Sequence, residues 1–273
     1  MAAEALVRIE NLRKVYAPRN FFARWNGERA AKAALDGVNL LIRSGSVMGL
    51  AGESGCGKST LADCLAGFER ATSGAIWFGE TDLAALGARE RRAWCKRVQL
   101  IPQDAAGSFS PRFTAAEIVA EPLEIQRIGS RESRAEAARQ LMVRVGLPGE
   151  WAARTPDQFS GGQRQRLAIA RALALGPELL ILDESFSALD AWTQSRMSDL
   201  LADLQLHESV TCLHIAHDLA LLSHVADEIA VMDAGKIVEQ GTPRQLLARP
   251  QHDATKRLVA EVPRLDAASQ GVA

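Results

Sequence analysis

Short apolar runs recur along the chain at Ala5 to Ile9, Val38 to Ile42, Val47 to Ala51, Ala75 to Phe78, Val98 to Ile101, Leu179 to Leu182, Val210 to Ile215 and Ile229 to Met232. Each has the length of a strand. The runs beginning at Val47, Val98, Leu179 and Val210 read as apolar rather than alternating, interrupted only by Gln99, Thr211 and His214, which suits parallel strands covered on both faces. The earlier ones read as an antiparallel flank. Asp233-Ala234-Gly235 followed by Lys236 to Val238 predicts a hairpin near the end of the sheet.

Between Phe113 and Ala174 the texture changes to Ala, Arg, Glu and Leu with no strand pattern, so a helical insertion is expected. Thr114 followed by Glu117 can start one helix. Ser130-Arg131-Glu132 start a second that runs to about Val145, where Gly146 and Pro148 stop it. Thr242-Pro243 opens one short helix before a polar tail. The resulting division is a discontinuous core over 1–103 and 174–242, a helical subdomain over 104–173, and a C-terminal helix and tail over 243–273. Pro18 to Ala34, with Phe21, Phe22 and Trp25, reads as a long surface loop whose aromatics are either an anchor or a partner contact.

Composition narrows the choice of partners. The 273 residues are 47% hydrophobic and 24% charged, values of a globular chain that exclude disordered and coiled-coil classes. Thirty-two basic side chains against 33 acidic ones give a net charge of -1. No global field attracts nucleic acid, and a bound polyanion must be held by a local device. The longest apolar stretch, Leu167 to Leu182, is interrupted by Arg171 and Glu178, so no membrane span is expected. Charges at Glu4, Arg8 and Glu10 argue against a signal peptide and for the cytoplasm. The four cysteines show no CxxC spacing, which indicates free thiols rather than a zinc site.

That local device stands directly after the Val47 to Ala51 run. Gly52-Glu53-Ser54-Gly55-Cys56-Gly57-Lys58-Ser59-Thr60 match the phosphate-binding loop pattern and precede a helical segment from Leu61 to Ala66. Glycines let successive N–H groups turn inward as an anion nest, Lys58 reaches the outer phosphates, and the Ser59 hydroxyl can ligate magnesium. Glu53 formally cancels Lys58, so binding must rest on aimed amides. Cys56 is either a reactive thiol or a small tolerated side chain. The run from Leu179 ends in Asp183-Glu184, where Asp183 is placed to hold magnesium through water and Glu184 to polarise an attacking water.

Ser160-Gly161-Gly162-Gln163 precede another helical pattern and alone would be a capped helix start. With the phosphate loop and the Asp-Glu pair, the chain resembles the ABC-type ATPases over nearly its whole length. The resemblance implies an α/β fold: a P-loop NTPase core with a mostly parallel sheet, an antiparallel β flank and an inserted helical subdomain. It implies ATP and Mg2+ as ligands and ATP hydrolysis as the reaction. It also implies roles for further residues. Gln103 senses the terminal phosphate and magnesium, Ser187 and Asp190 belong to a dimer-contacting loop, His217 contacts the terminal phosphate and orients Glu184, and Tyr16 stacks on adenine. Two chains meet head to tail, with Ser160 and Gly162 of one closing on ATP held by Lys58 of the other.

Within the family, Gln103-Asp104, Ser108-Phe109-Ser110-Pro111-Arg112, Glu117-Ile118-Val119 and Glu121-Pro122-Leu123 resemble the ATPases of peptide and nickel importers. The implied partners are a second ATPase chain, identical or paralogous, integral membrane permease subunits and, indirectly, an extracytoplasmic solute-binding protein. No nucleic acid is expected. The implied location is cytoplasmic, peripheral on the inner face of the membrane. Alternatives are a subunit of a phosphonate-processing complex and a non-transport ABC ATPase. Phe159, Pro102 and Ser185-Phe186 depart from the family pattern without removing a phosphate, metal or water ligand.

Overall fold

The computed structural model describes residues 4–16, 33–186, 190–208 and 210–262. Two sheets carry the fold. The first is antiparallel, from β1 (Ala5–Val15), β2 (Ala33–Arg43), β4 (Ser73–Phe78) and β5 (Thr81–Asp82), in the order β2-β1-β4-β5. The second contains β3 (Val47–Ala51), β6 (Val98–Ile101), β7 (Leu179–Asp183), β8 (Thr211–Ala216), β9 (Glu228–Asp233) and β10 (Lys236–Gly241). Its order is β10-β9-β3-β8-β7-β6, parallel except for the β9–β10 pair. These largely apolar runs thus became parallel strands: every residue of β3 and β8 is buried. The hairpin is present too. Ala234 and Gly235 both have positive φ, 46° and 81°, as a two-residue turn between right-twisted strands requires.

Helix α1 (Lys58–Ala66) lies between the sheets. Leu61, Ala62 and Leu65 share one apolar cluster with Ile9, Leu40 and Ile76 of the antiparallel sheet and with Leu50, Ile181 and Leu213 of the parallel one. A second cluster covers the opposite face of the parallel sheet with α3 (Ala115–Ile125), α4 (Arg131–Arg144), α5 (Gly161–Leu173) and α6 (Ala191–Glu208). The two expected helix starts hold. Thr114 and Glu117 form a reciprocal capping box, and Ser130 accepts from the Ser133 N–H at 3.2 Å. Helix α2 (Ala88–Arg97) precedes β6, and α7 (Leu219–Val225) follows β8.

The C-terminal reading needs a correction. The sequence predicts one helix before the Ala, Ser and Gly tail, but α8 (Pro243–Ala248) is followed by a second, α9 (Asp253–Glu261), and the tail itself lies outside the described residues. Only Ala254, Thr255 and Leu258 of α9 are buried, a stripe too sparse in the sequence to stand out from the tail. The flank is longer than the apolar runs predict: β1 runs on to Val15, with Glu10, Asn11 and Arg13 exposed, and β2 starts at Ala33.

His214 sits in the middle of β8, fully buried, with neither ring nitrogen partnered and its ring edge-on to Phe186 at 5.1 Å. Burial pushes its pKa from 6.5 down to about 4. A group depressed in the folded state contributes stability that is fully present above the unfolded pKa and is lost as pH falls toward the folded one. Between pH 6.5 and 4 the unfolded chain takes up a proton at His214 that the folded chain refuses. Urea unfolding at pH 5 should therefore show a stability on the order of 2 kcal/mol below that at pH 7 from this residue. In His214→Leu that part of the pH dependence should vanish. An equal fall in parent and variant would remove His214 as its source.

Candidate nucleotide site

The phosphate loop connects the buried strand β3 to α1. Two of its glycines, Gly52 and Gly57, are fixed by close approaches, while Gly55 is required by its φ of 77° alone. A Cβ at Gly57, where φ is 118°, would stand 2.4 Å from the Ala34 carbonyl oxygen, so no larger residue fits without moving β2. Gly57 is also the N-cap of α1 and offers no side-chain cap, which leaves the first N–H groups of the helix for an anion. The loop is tied to the β9–β10 turn, since Gly235 N–H donates to the Cys56 carbonyl at 2.8 Å and Asp36 N–H to that of Gly235 at 2.8 Å.

Lys58 is 4% exposed and donates to the carbonyls of Gly52 at 2.7 Å and Glu53 at 3.1 Å. Its Nζ is also 3.4 Å from Glu184 Oε1. The expected cancellation of Lys58 by Glu53 is not what the side chains do. Glu53 gives Lys58 only its backbone oxygen, while its carboxylate pairs with Arg257 Nε at 2.7 Å. Cys56 is 7% exposed and its thiol is pushed up by burial, against the pull of Lys58. That environment suits a small filler and not a reactive thiol.

Asp183 closes β7, and its Oδ1 is buried without a hydrogen-bond partner. Burial raises its pKa, with the Ser59 side chain pulling the other way. An orphaned carboxylate oxygen beside a hydroxyl at the phosphate loop is a hard oxygen donor set that fits magnesium. Glu184 follows in the left-handed region at φ 47°, rare for a residue with a side chain, and its N–H donates to the Ile215 carbonyl at 3.0 Å. That bond sets the acid beside the end of β8. Glu184 and His217 line one cavity of about 40 Å³ together with Gln194 and Asp218. Ser185 donates to the Ile101 carbonyl at 2.9 Å and so fixes the end of β6 beside this turn.

Other expected residues lie apart. Gln103 stands two residues beyond β6, exposed, and makes no hydrogen bond among the described residues. Tyr16 is 44% exposed at the end of β1, with the Lys14 ammonium 4.8 Å above its ring. Because Val15 pairs with Ala33 and Ala34 abuts Gly57, the strand carries Tyr16 toward the phosphate loop. The aromatic segment 18–34 lies outside the described residues except for Ala33 and Ala34, as does Ser187.

Ser160 to Gln163 form a second, separate cluster. Ser160 caps α5 in a capping box: Gln163 N–H donates to its Oγ at 3.3 Å, and Ser160 N–H to Gln163 Oε1 at 2.9 Å. A Cβ on Gly162 would stand 2.6 Å from Thr193 Cγ2. Thr193 in turn donates to Asp190 through both its N–H, at 2.9 Å, and its hydroxyl, at 2.8 Å. The start of α5 and the start of α6 are thus packed together. Among the described residues no hydrogen bond joins this cluster to the phosphate loop.

Glu53 with its partner Arg257 escaped sequence reasoning, because 204 positions separate them and no motif spans that distance.

A glycine-rich loop between the buried strand β3 and α1, with an acid pair at the C-terminal end of β7, defines a P-loop nucleotide hydrolase. The family model for ABC transporters matches residues 35–187, and the chain belongs to that family. The chain is 42% identical over 261 residues to a probable peptide ABC transporter ATP-binding protein, y4tS, of Sinorhizobium fredii, covering 96% of this chain and 73% of that one. It is 41% identical over 271 residues to the oligopeptide transport ATP-binding protein OppD of Mycobacterium tuberculosis. That match covers 98% of this chain but only 44% of the relative, so the chain spans less than half of that protein. Among solved structures, the ATP-binding cassette MJ0796, in a dimeric post-hydrolysis state bound to ADP and Pi, superposes with a TM-score of 0.75. It is 29% identical, with 87% of this chain and 99% of that chain covered. A cbiO1 protein from Clostridium perfringens, 24% identical over 90% of this chain and 92% of its own, shares the fold with a TM-score of 0.78. The chain is an ATP-binding cassette, an ATPase that takes ATP with Mg2+. Cassettes of this kind dimerise and work with membrane permeases. Among the described residues no helix is long and apolar enough to cross a membrane.

Proposed function

We propose that the chain drives uptake of short peptides through a separate permease, as one of two ATPase subunits peripheral to the cytoplasmic face of the membrane. The observation that carries the substrate class is the similarity, across 96% to 98% of the chain, to proteins named for peptide and oligopeptide transport. The same relatives give the phosphonate-complex reading no support. A solute-binding protein outside the membrane would deliver peptide to the permease, and the second ATPase is identical or paralogous.

The residues divide the work as follows. The loop Gly52, Ser54, Gly55, Cys56, Gly57, Ser59 and Thr60 wraps the phosphates with backbone N–H groups, and Lys58 exchanges its contact with Glu184 for the outer phosphates. Tyr16 carries the adenine. Asp183, Ser59 and Gln103 would hold magnesium, which supplies charge neutralisation at the outer phosphate oxygens. Glu184, freed from Lys58, takes the proton of the attacking water, and His217 beside it orients that acid. Ser160, Gly161, Gly162 and Gln163 of the second chain present a helix N-terminus to the terminal phosphate, with Ser187 and Asp190 at the same interface.

The core over 1–103 and 174–242 would hold the nucleotide, the helical part over 104–173 would meet the permease, and the segment 243–273 would close the back. A groove of about 510 Å³ lined by Phe68, Phe109, Pro122 and Ile125 supports the permease contact, since Phe68 and Ile125 are about 70% exposed.

Cells lacking this chain should lose uptake of a labelled tripeptide, and the parent chain, but not Lys58→Ala, should restore it. Normal tripeptide uptake with a loss of nickel uptake would overturn the substrate class.

A further inference from the structure

Helix α9 shares the apolar cluster at the end of β3 and reaches the phosphate loop through one side chain. Its buried Ala254 and Leu258 share an apolar cluster with Ala51, the last residue of β3 and the neighbour of Gly52. From the same helix Arg257 Nε reaches Glu53 Oε1 at 2.7 Å. The helix is itself held at its start, where the Gln251 and His252 N–H groups donate to the Glu239 carboxylate at 3.0 and 2.8 Å. The neighbouring charges of α9, Lys256 and Asp253, pair with each other at 2.9 Å, and Glu53 is the strongest partner of Arg257, ahead of the charges of Asp233 and Asp253.

Glu53 is an awkward residue for its place. Its carbonyl belongs to the cradle, as an acceptor for Lys58 at 3.1 Å, while its carboxylate is the one acidic group within Gly52 to Thr60. A triphosphate entering the loop meets that charge as a repulsion. We infer that Arg257 is a positioning residue for nucleotide binding: it draws the Glu53 carboxylate outward onto α9 and offsets its charge, so that the loop offers the phosphates its N–H groups and Lys58 alone. This rests on the loop being the ATP site. It makes the C-terminal helix part of that site, at a distance in sequence that no motif records.

The ion pair is half exposed, so its effect is modest and screened by salt. In Arg257→Ala the KM for ATP should rise about threefold at low ionic strength, and less at high salt, with kcat kept. Adding Glu53→Gln to that variant should return KM to the parent value, and Arg257→Lys should keep most of the parent affinity. An unchanged KM in Arg257→Ala at low salt, or a rise that Glu53→Gln fails to relieve, overturns the inference. So does a fall in kcat with a lowered melting temperature, which would mark the helix as scaffold only. Binding of a fluorescent ATP analogue by the parent, and its loss in Lys58→Ala, tests the ATP site separately: if the parent binds none, the underlying reading fails instead.

Discussion

Glu184→Gln should bind ATP at least as tightly as the parent and turn it over at least about a hundredfold more slowly, because a general base contributes roughly 10² to 10⁴ to rate. The geometry separates the two effects. The Glu184 carboxylate stands 3.4 Å from Lys58 Nζ, so before nucleotide enters it competes with phosphate for that ammonium. Replacing it by a neutral amide of the same shape removes the competitor and leaves the Lys58 bonds to Gly52 and Glu53 in place. The same replacement takes away the only function an amide cannot imitate, acceptance of a proton. The residue is held at φ 47° by its N–H bond to Ile215, and glutamine can keep both. Equilibrium binding of ATP, measured beside steady-state phosphate release, reads the two effects apart. Turnover near the parent rate would remove Glu184 as the base.

Ser160→Arg should abolish most hydrolysis while the isolated chain binds nucleotide as before. Ser160 is exposed, outside the apolar clusters, and no hydrogen bond among the described residues joins it to the phosphate loop. Loss of its cap should cost helix α5 about 1 kcal/mol, and Ser160→Ala, which loses the cap without adding bulk, serves as the control for that cost. A bulky cation can block a site only if the site is completed by another chain. Hydrolysis should therefore fall at least tenfold in Ser160→Arg and far less in Ser160→Ala, a contrast that a purely local stability effect would not give. Equal rates in both variants and the parent would place the whole active site within one chain.

What the sequence revealed and what it hid have a common physical cause. Parallel strands covered on both faces write themselves as largely apolar runs, and so β3, β7 and, despite Gln99, Thr211 and His214, β6 and β8 were legible, together with the loop and acids at their C-terminal ends. Side-chain caps are local, and Thr114, Ser130 and Ser160 start the helices where their spacing indicates. Helix α9 was hidden because only three of its residues are buried. The pairing of Glu53 was hidden because side-chain electrostatics depend on what the fold brings near: charge counting matched Glu53 to Lys58, five residues away, while space matches it to Arg257. Gln103 shows the same limit in reverse. Its order along the chain assigns it a ligand's role, yet its side chain stands exposed and without a hydrogen bond among the described residues.

The contact of Gly162 with Thr193 has a mechanical meaning. With 2.6 Å between the place of a missing Cβ and the threonine methyl, the two helix starts approach closely enough to admit only glycine, and Asp190 is bound to the same threonine. In the proposed dimer, a second chain pressing on Ser160 would press on a helix start packed against the threonine that holds Asp190. A push received there is delivered at once to α5, which underlies the helical part, and to α6, which runs back beneath the parallel sheet. If that face meets the second subunit as proposed, it would act as a lever with one fulcrum rather than as two loops that yield separately.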